Sequence, residues 1–176
     1  MYKRQSPDFG GATVKAAYVP SGNAAAADGY TDFAIAISPE AVEGLTLGYA
    51  ISNNTVAGGG KDADKSTGYV KYAFGGITVG AQVADLDHDT ASSSQESTAY
   101  GITYAVNDDF TIGYSVHTLE FDSSATNNTD QESTGISASY TMGGMTIGGA
   151  MNEVKNMDGA ATGDHEGYEF NLKFAF

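Results

Sequence analysis

Residues 70–83 read Val70-Lys71-Tyr72-Ala73-Phe74-Gly75-Gly76-Ile77-Thr78-Val79-Gly80-Ala81-Gln82-Val83. Before Gly75 every second residue is large and apolar, and after Gly76 the alternation resumes with Ile77, Val79 and Val83. A period of two marks a strand with unlike faces, because successive side chains leave a strand on opposite sides. Two such strands joined by Gly-Gly predict an antiparallel hairpin, since glycine tolerates the positive φ of a tight turn. One face of the hairpin carries Val70, Tyr72, Phe74, Ile77 and Val79; the other carries Lys71, Thr78, Gly80 and Gln82.

The second strand of this hairpin returns along the chain. Ile77-Thr78-Val79-Gly80-Ala81 is matched by Leu45-Thr46-Leu47-Gly48-Tyr49, Phe110-Thr111-Ile112-Gly113-Tyr114 and Met145-Thr146-Ile147-Gly148-Gly149. A regular repeat asks for one supersecondary unit used several times. Each copy follows a short turn (39–44, 75–76, 107–109 and 143–144) and runs into a longer polar stretch (54–66, 85–97, 119–133 and 153–167). The pattern predicts ten strands beginning near residues 12, 30, 45, 67, 77, 98, 110, 134, 145 and 168. Across them one face is apolar without a single charge, from Val14 and Tyr18 to Leu172 and Phe174. The other is mostly Gly, Ala, Ser and Thr, with Lys15, Asp32, Lys71, Gln82, His117, Glu169, Asn171 and Lys173 as its larger polar members.

Composition narrows the function classes. The 176 residues include 23 Gly, 3 Pro, no Cys and no Trp, and 22 Asp plus Glu against 8 Lys plus Arg give a net charge of −14. An acidic chain is a poor nucleic-acid binder, and a chain without cysteine has no disulfide or thiol nucleophile. No apolar run approaches the roughly 20 residues of a spanning helix, and residues 1–11 lack the apolar core of a secretion signal.

Two architectures suit this pattern. A soluble or surface-exposed β-barrel or sandwich, acting as a binding module, would hide the apolar face in its core. A transmembrane barrel would turn that face to lipid and the small polar face to a water-filled lumen. The second is favoured because the polar face lacks the Lys and Glu of a solvated sheet. Aromatics also crowd the strand ends (Tyr72, Phe74, Tyr104, Phe110, Tyr140, Phe174), where an interfacial girdle belongs. The expected fold class is therefore all-β, an antiparallel up-and-down transmembrane β-barrel sheet.

Two motifs extend this reading. Ser6-Pro7-Asp8-Phe9-Gly10-Gly11, leading into Thr13-Val14-Lys15-Ala16-Ala17-Tyr18, and the C-terminal run Tyr168-Glu169-Phe170-Asn171-Leu172-Lys173-Phe174-Ala175-Phe176 resemble the trimeric general porins of Gram-negative outer membranes, in particular the alphaproteobacterial type. The resemblance implies a passive channel in the outer membrane, without enzymatic activity or cofactor, assembled as a homotrimer among lipid and lipopolysaccharide. It also implies that Tyr168, Phe170, Leu172, Phe174 and Phe176 form the signal read by the outer-membrane assembly machinery, and that Met145, Ile147, Gly149 and Met151 lie near the subunit seam. Such porins have sixteen strands, so residues 1–11 are expected to be the end of a preceding strand and a periplasmic turn. Residues 12–176 would be ten strands of a longer barrel, and a complete ten-stranded barrel is the lesser alternative.

In such a pore Lys15, Lys71 and Lys173, with Arg4 on the strand end before them, are the basic wall candidates, opposed by Asp32 and Glu169. The long polar stretches hold most of the acids, which predicts an anionic mouth and a weak cation preference. Other motifs carry little. His88 between Asp87 and Asp89, and His165 beside Asp164, could meet a divalent cation, though a His in an acidic loop is more often simply solvated. Gly58-Gly59-Gly60-Lys61 lacks the Ser or Thr and the helix of a phosphate loop. A barrel hydrolase would need a paired acid and His at the rim or a His on the apolar face; only Asp87-His88-Asp89 offers the former, and His117 has the wrong parity for the latter.

Overall fold

The computed structural model describes residues 2–20, 29–55, 62–89, 94–122 and 129–175. Within them lie eleven strands: β1 (Tyr2–Gln5), β2 (Ala12–Val19), β3 (Gly29–Ile37), β4 (Leu45–Thr55), β5 (Ala63–Phe74), β6 (Ile77–His88), β7 (Ser94–Ala105), β8 (Phe110–Asp122), β9 (Gln131–Met142), β10 (Met145–Lys155) and β11 (His165–Phe174). They form one sheet in sequence order, each strand antiparallel to the next. The strand beyond the ten read from alternation is β1, which pairs Tyr2 with Tyr18 and Gln5 with Lys15. No β1–β11 pairing closes the sheet among the described residues, so a complete ten-stranded barrel is not what forms.

The turns follow from local chemistry. Gly75 and Gly143, the first residues of the two Gly-Gly turns, have φ of 55° and 59°, where a Cβ would be strained. At 107–109 the Asn107 side-chain oxygen accepts the backbone N–H groups of Asp109 (3.0 Å) and Phe110 (2.9 Å), closing an Asx-type turn. In the first turn Asp8 accepts the N–H of Gly11 at 2.8 Å, and the Ser6 hydroxyl accepts that of Val14 at 2.9 Å.

Each pair holds one register along its length, so a face is passed unbroken from strand to strand. Asp32 stands opposite Ser52, Ser52 opposite Lys65, and Lys65 opposite Leu86. Among the described residues nothing covers the apolar face. The buried apolar residues among those described are Ala17 and Ala63 alone, whereas Val83, Tyr100 and Ile136 are 56%, 54% and 53% exposed. A sandwich would bury this row under a second sheet about 10 Å away. A soluble monomer rarely leaves more than a few hundred Å² of contiguous apolar surface uncovered. The row faces outward, and at the short-turn end Tyr72 and Phe74 stack on it with centroids 5.4 Å apart.

The strands reach further than hydropathy predicts. β5, β7, β9 and β11 start at residues 63, 94, 131 and 165, three or four places earlier than expected, and β4, β6, β8 and β10 run on to 55, 88, 122 and 155. Much of the stretches 54–66, 85–97, 119–133 and 153–167, expected as loops, is therefore strand. The cause is that the outward face turns polar there, while the scattered apolar residues (Leu86, Leu119, Phe121) fall on the inward face. Ladder hydrogen bonds need only backbone groups, so pairing continues where an apolar period has ended.

Candidate functional site

The inward row is the candidate site. Lys15 and Asp32 lie on it opposite Ala34 and Ser52. Lys71 faces Thr46 and Gly80; Gln82 faces Tyr69 and Ala99; His117 faces Ala99 and Ser133. On β11, Glu169, Asn171 and Lys173 stand opposite Ala150, Gly148 and Thr146. Short hydrogen bonds fix several of these side chains to the wall. The Gln82 amide donates to Thr67 Oγ1 at 3.1 Å, and the Thr67 hydroxyl donates to the Val83 carbonyl at 3.0 Å. His117 Nε2 lies 2.8 Å from Ser97 Oγ. The small residues have a reason to be small: a Cβ at Gly48 would run into the Tyr69 ring, and one at Gly148 would stand 2.6 Å from Asn171 Oδ1. Larger residues at these places would displace side chains into the lumen.

The register adds two residues and removes one. Lys3 pairs with Ala17 and Lys65 with Ser52, so both join the inward row. With Lys15, Tyr30, Asp32 and Gln82 they border a concavity of about 570 Å³. Arg4, expected on the wall, pairs with Ala16, which faces Phe33, and so lies on the outward row. Its odd-numbered neighbour carries the inward charge instead. Hydropathy gives Lys3 no parity, because the three polar residues that follow Tyr2 in β1 show no apolar alternation. Lys65 lies in a polar segment that hydropathy reads as a loop, and the ladder to Ser52 is what fixes its inward place.

Charge is unevenly spread along this row. The inward residues of β1–β5 include Lys3, Lys15, Asp32, Lys65 and Lys71, and those of β11 include Glu169 and Lys173. The inward rows of β6–β10 hold no Asp, Glu, Lys or Arg; their titratable members are His88 and His117. Among the described residues the ion pair formed is Lys155 with Glu153 at 3.8 Å, on the outward row. Lys173 is thus not paired with Glu169.

The acids sit elsewhere than expected. Asp64, Asp85, Asp87, Glu96, Glu120, Asp122, Glu132, Glu153 and Glu166 are on strand extensions, exposed and outward-facing by register. Several face a like charge on the next strand: Asp64 opposite Asp87, Asp85 opposite Glu96, Glu96 opposite Glu120, and Glu153 opposite Glu166. Asp62, Asp89, Asp130, Asp158 and Asp164 lie off the strands, and Asp28, Lys61 and the glycine run Gly58-Gly59-Gly60 before it fall outside the described residues. Among the described residues no group of three or more His, Asp or Glu is arranged to hold a metal ion, around His88 and His165 included.

Of the terminal alternation, Tyr168, Phe170, Leu172 and Phe174 line the outward face of β11, while Phe176 lies outside the described residues. They stand opposite Met151, Gly149, Ile147 and Met145, making one continuous apolar strip over β10 and β11.

Comparison with known proteins agrees with this architecture. The fold is shared with an anion-selective porin from Comamonas acidovorans, at 14% identity and a TM-score of 0.78 over 99% of this chain and 58% of that one. It is shared with a porin refined at 1.8 Å resolution, at 20% identity and a TM-score of 0.70 over 99% and 60%. It is shared too with a loop L8 deletion mutant of OmpT, an outer membrane protein of Vibrio cholerae, at 15% identity and a TM-score of 0.67 over 98% and 61%. The chain thus spans about three fifths of the length of these solved porins. No curated protein matches it significantly by sequence. A family model described as Gram-negative porin matches residues 2–129, most of the chain. With its apolar row outward, its polar row inward and that match, the chain belongs to the Gram-negative porin family, and its sheet is outer-membrane β-barrel wall.

Proposed function

We propose that this chain supplies wall to a water-filled pore through which small hydrophilic solutes and ions diffuse passively, with no chemical step. The observation that carries the reading is the division between an outward row of Tyr, Ile, Val and Phe and an inward row of Gly, Ala, Ser and Thr set with a few lysines. Such a pore selects by diameter and wall charge rather than by bonding to its solute.

The wall belongs to a larger barrel. Eleven strands joined antiparallel leave β1 and β11 running in the same direction, so they cannot pair antiparallel with each other. Antiparallel closure needs an odd number of further strands, and five would complete the sixteen of the general porins. An open edge in hydrocarbon costs several kcal/mol for each unpaired backbone group. The same reading makes residues 1–11 a strand end and periplasmic turn. The assembled form is a homotrimer with the β10–β11 strip near its seam, inserted by the outer-membrane assembly machinery and surrounded by lipid and lipopolysaccharide.

The weak cation preference expected from the sequence needs an anionic mouth. Nine of the acids behind it stand on the outward rows, which leaves Asp62, Asp89, Asp130, Asp158 and Asp164, off the strands, to support it. Planar-bilayer recording tests the porin reading. The full-length protein carrying this chain should give stable step conductances, and residues 1–176 alone should give none. Silence from the full-length protein would overturn the reading.

A further inference from the structure

The sequence divides its charges between two faces, and the register shows how one-sided the division is. Of the charged residues on the inward row of the described strands, five are lysines (Lys3, Lys15, Lys65, Lys71, Lys173) and two are acids (Asp32, Glu169). Of the chain's 22 carboxylates, nine stand on the outward face of the strand extensions and two on the inward row. Among the described residues none of the five lysines has a carboxylate within salt-bridge distance, and Lys3, Lys15 and Lys65 outnumber the one acid among them, Asp32.

Position decides which set a permeating ion feels. A lysine on the inward row is separated from the ion by water alone. At low salt a unit charge about 8 Å away in water alters the local concentration of a small ion roughly twofold, and by less as salt rises. An outward carboxylate acts across the wall, over more than the Debye length of about 8 Å at physiological salt, and its own outer solution screens it first.

We propose that the lysines Lys3, Lys15 and Lys65, grouped around Asp32 on β1–β5, set the ion preference of the pore and make this arc of the lumen favour small anions, while the acids of the long-loop end do not set it. The proposal rests on the porin reading above and assigns a sign to it. The ligand class is a small hydrated anion such as chloride or a short carboxylate, held loosely by three cations spread over β1, β2 and β5 and not by a closed site.

The test is the reversal potential of the full-length protein in a planar bilayer under a potassium chloride gradient, with three variants beside the parent. Lys3→Gln/Lys15→Gln/Lys65→Gln should lower the anion-to-cation permeability ratio at least about twofold, more at low salt than at high. Asp64→Asn/Asp85→Asn/Glu96→Gln should leave the ratio unchanged while step conductance persists, and the parent should prefer chloride. Asp62→Asn/Asp130→Asn/Asp164→Asn reports the acids off the strands, and a smaller change there than in the lysine variant supports the assignment. Potassium preference in the parent, an unmoved ratio in the lysine variant, or a larger change in either acid variant would each overturn it. A protein that conducts with the wrong sign defeats this inference alone; one that never conducts defeats the porin reading as well.

Discussion

The wall formed by β1–β5 and the wall formed by β6–β10 are built from the same hairpin, yet they differ inside the lumen. Both present an unbroken apolar row outward: Tyr18, Phe33, Tyr49 and Tyr72 on the first, Val83, Tyr100, Tyr114 and Ile136 on the second. Inward, the first arc carries Lys3, Lys15, Asp32, Lys65 and Lys71, and the second carries Gly, Ala, Ser, Thr and Gln with two histidines. The outward row is repeated because lipid makes the same demand everywhere. The inward row meets water, which tolerates both kinds of wall, so there the sequence is free to place charge on one side only.

The sharpest way to break this comparison is to exchange the demands of the two rows on one strand. Lys at Ile102, outward on β7, should cost about 2–4 kcal/mol of stability near the bilayer midplane. Lys at its inward neighbour Thr103 should cost far less. Urea titration of the protein folded in liposomes measures both, and equal losses would erase the distinction between the rows.

A smaller effect tests whether one-sidedness matters. Adding a lysine to the neutral arc, Thr111→Lys, should restore anion preference to the Lys3/Lys15/Lys65 variant by roughly the factor that one lysine supplies, about twofold at low salt. Reversal potentials report it. If the added lysine does nothing, the effect belongs to the particular site on β1–β5 and not to wall charge in general.

Much of this was legible beforehand. The glycine turns at 75–76 and 143–144 and the parity of Val70 to Val83 fixed the two faces, because apolar against small polar is a contrast that hydropathy sees. The strand extensions were not legible. In Asp85-Leu86-Asp87-His88 the apolar residue takes the inward place and the acids the outward one, so extrapolating the apolar period breaks off there or misleads. Only the hydrogen-bond register carries parity across such a segment. That is why the apolar period does not reveal the inward place of Lys65, and why nine acids that hydropathy assigns to loops stand outward on strands. The shared parity of Lys15, Asp32, Lys71, Gln82, His117, Glu169, Asn171 and Lys173 is legible because each lies within a clear apolar period.

The least effect expected comes from the acid ladder on the outward rows. Glu96 faces Asp85 on one side and Glu120 on the other. Like charges directly opposite destabilise a sheet, so Glu96→Gln should raise stability by about 0.2–1 kcal/mol at low salt, with the gain shrinking as salt rises. A loss of stability at low salt would mean that these carboxylates are held by partners that neutralise them. On the inward face beside it, Ser97→Ala removes the 2.8 Å contact with His117 and should cost about 0.5–1.5 kcal/mol on the neutral arc.

Everything rests on which row meets lipid, and the chain is well suited to a direct answer because it contains no tryptophan. Single tryptophans placed at Tyr100, Ile102 and Tyr114 on the outward row, and at Ala99, Thr103 and Ser115 on the inward row, can be compared in liposomes with brominated acyl chains. Strong quenching at the first three positions and weak quenching at the second three is the result expected of a lipid-facing apolar row. Quenching that is equal on the two rows, or stronger on the inward one, would contradict the orientation and the pore with it.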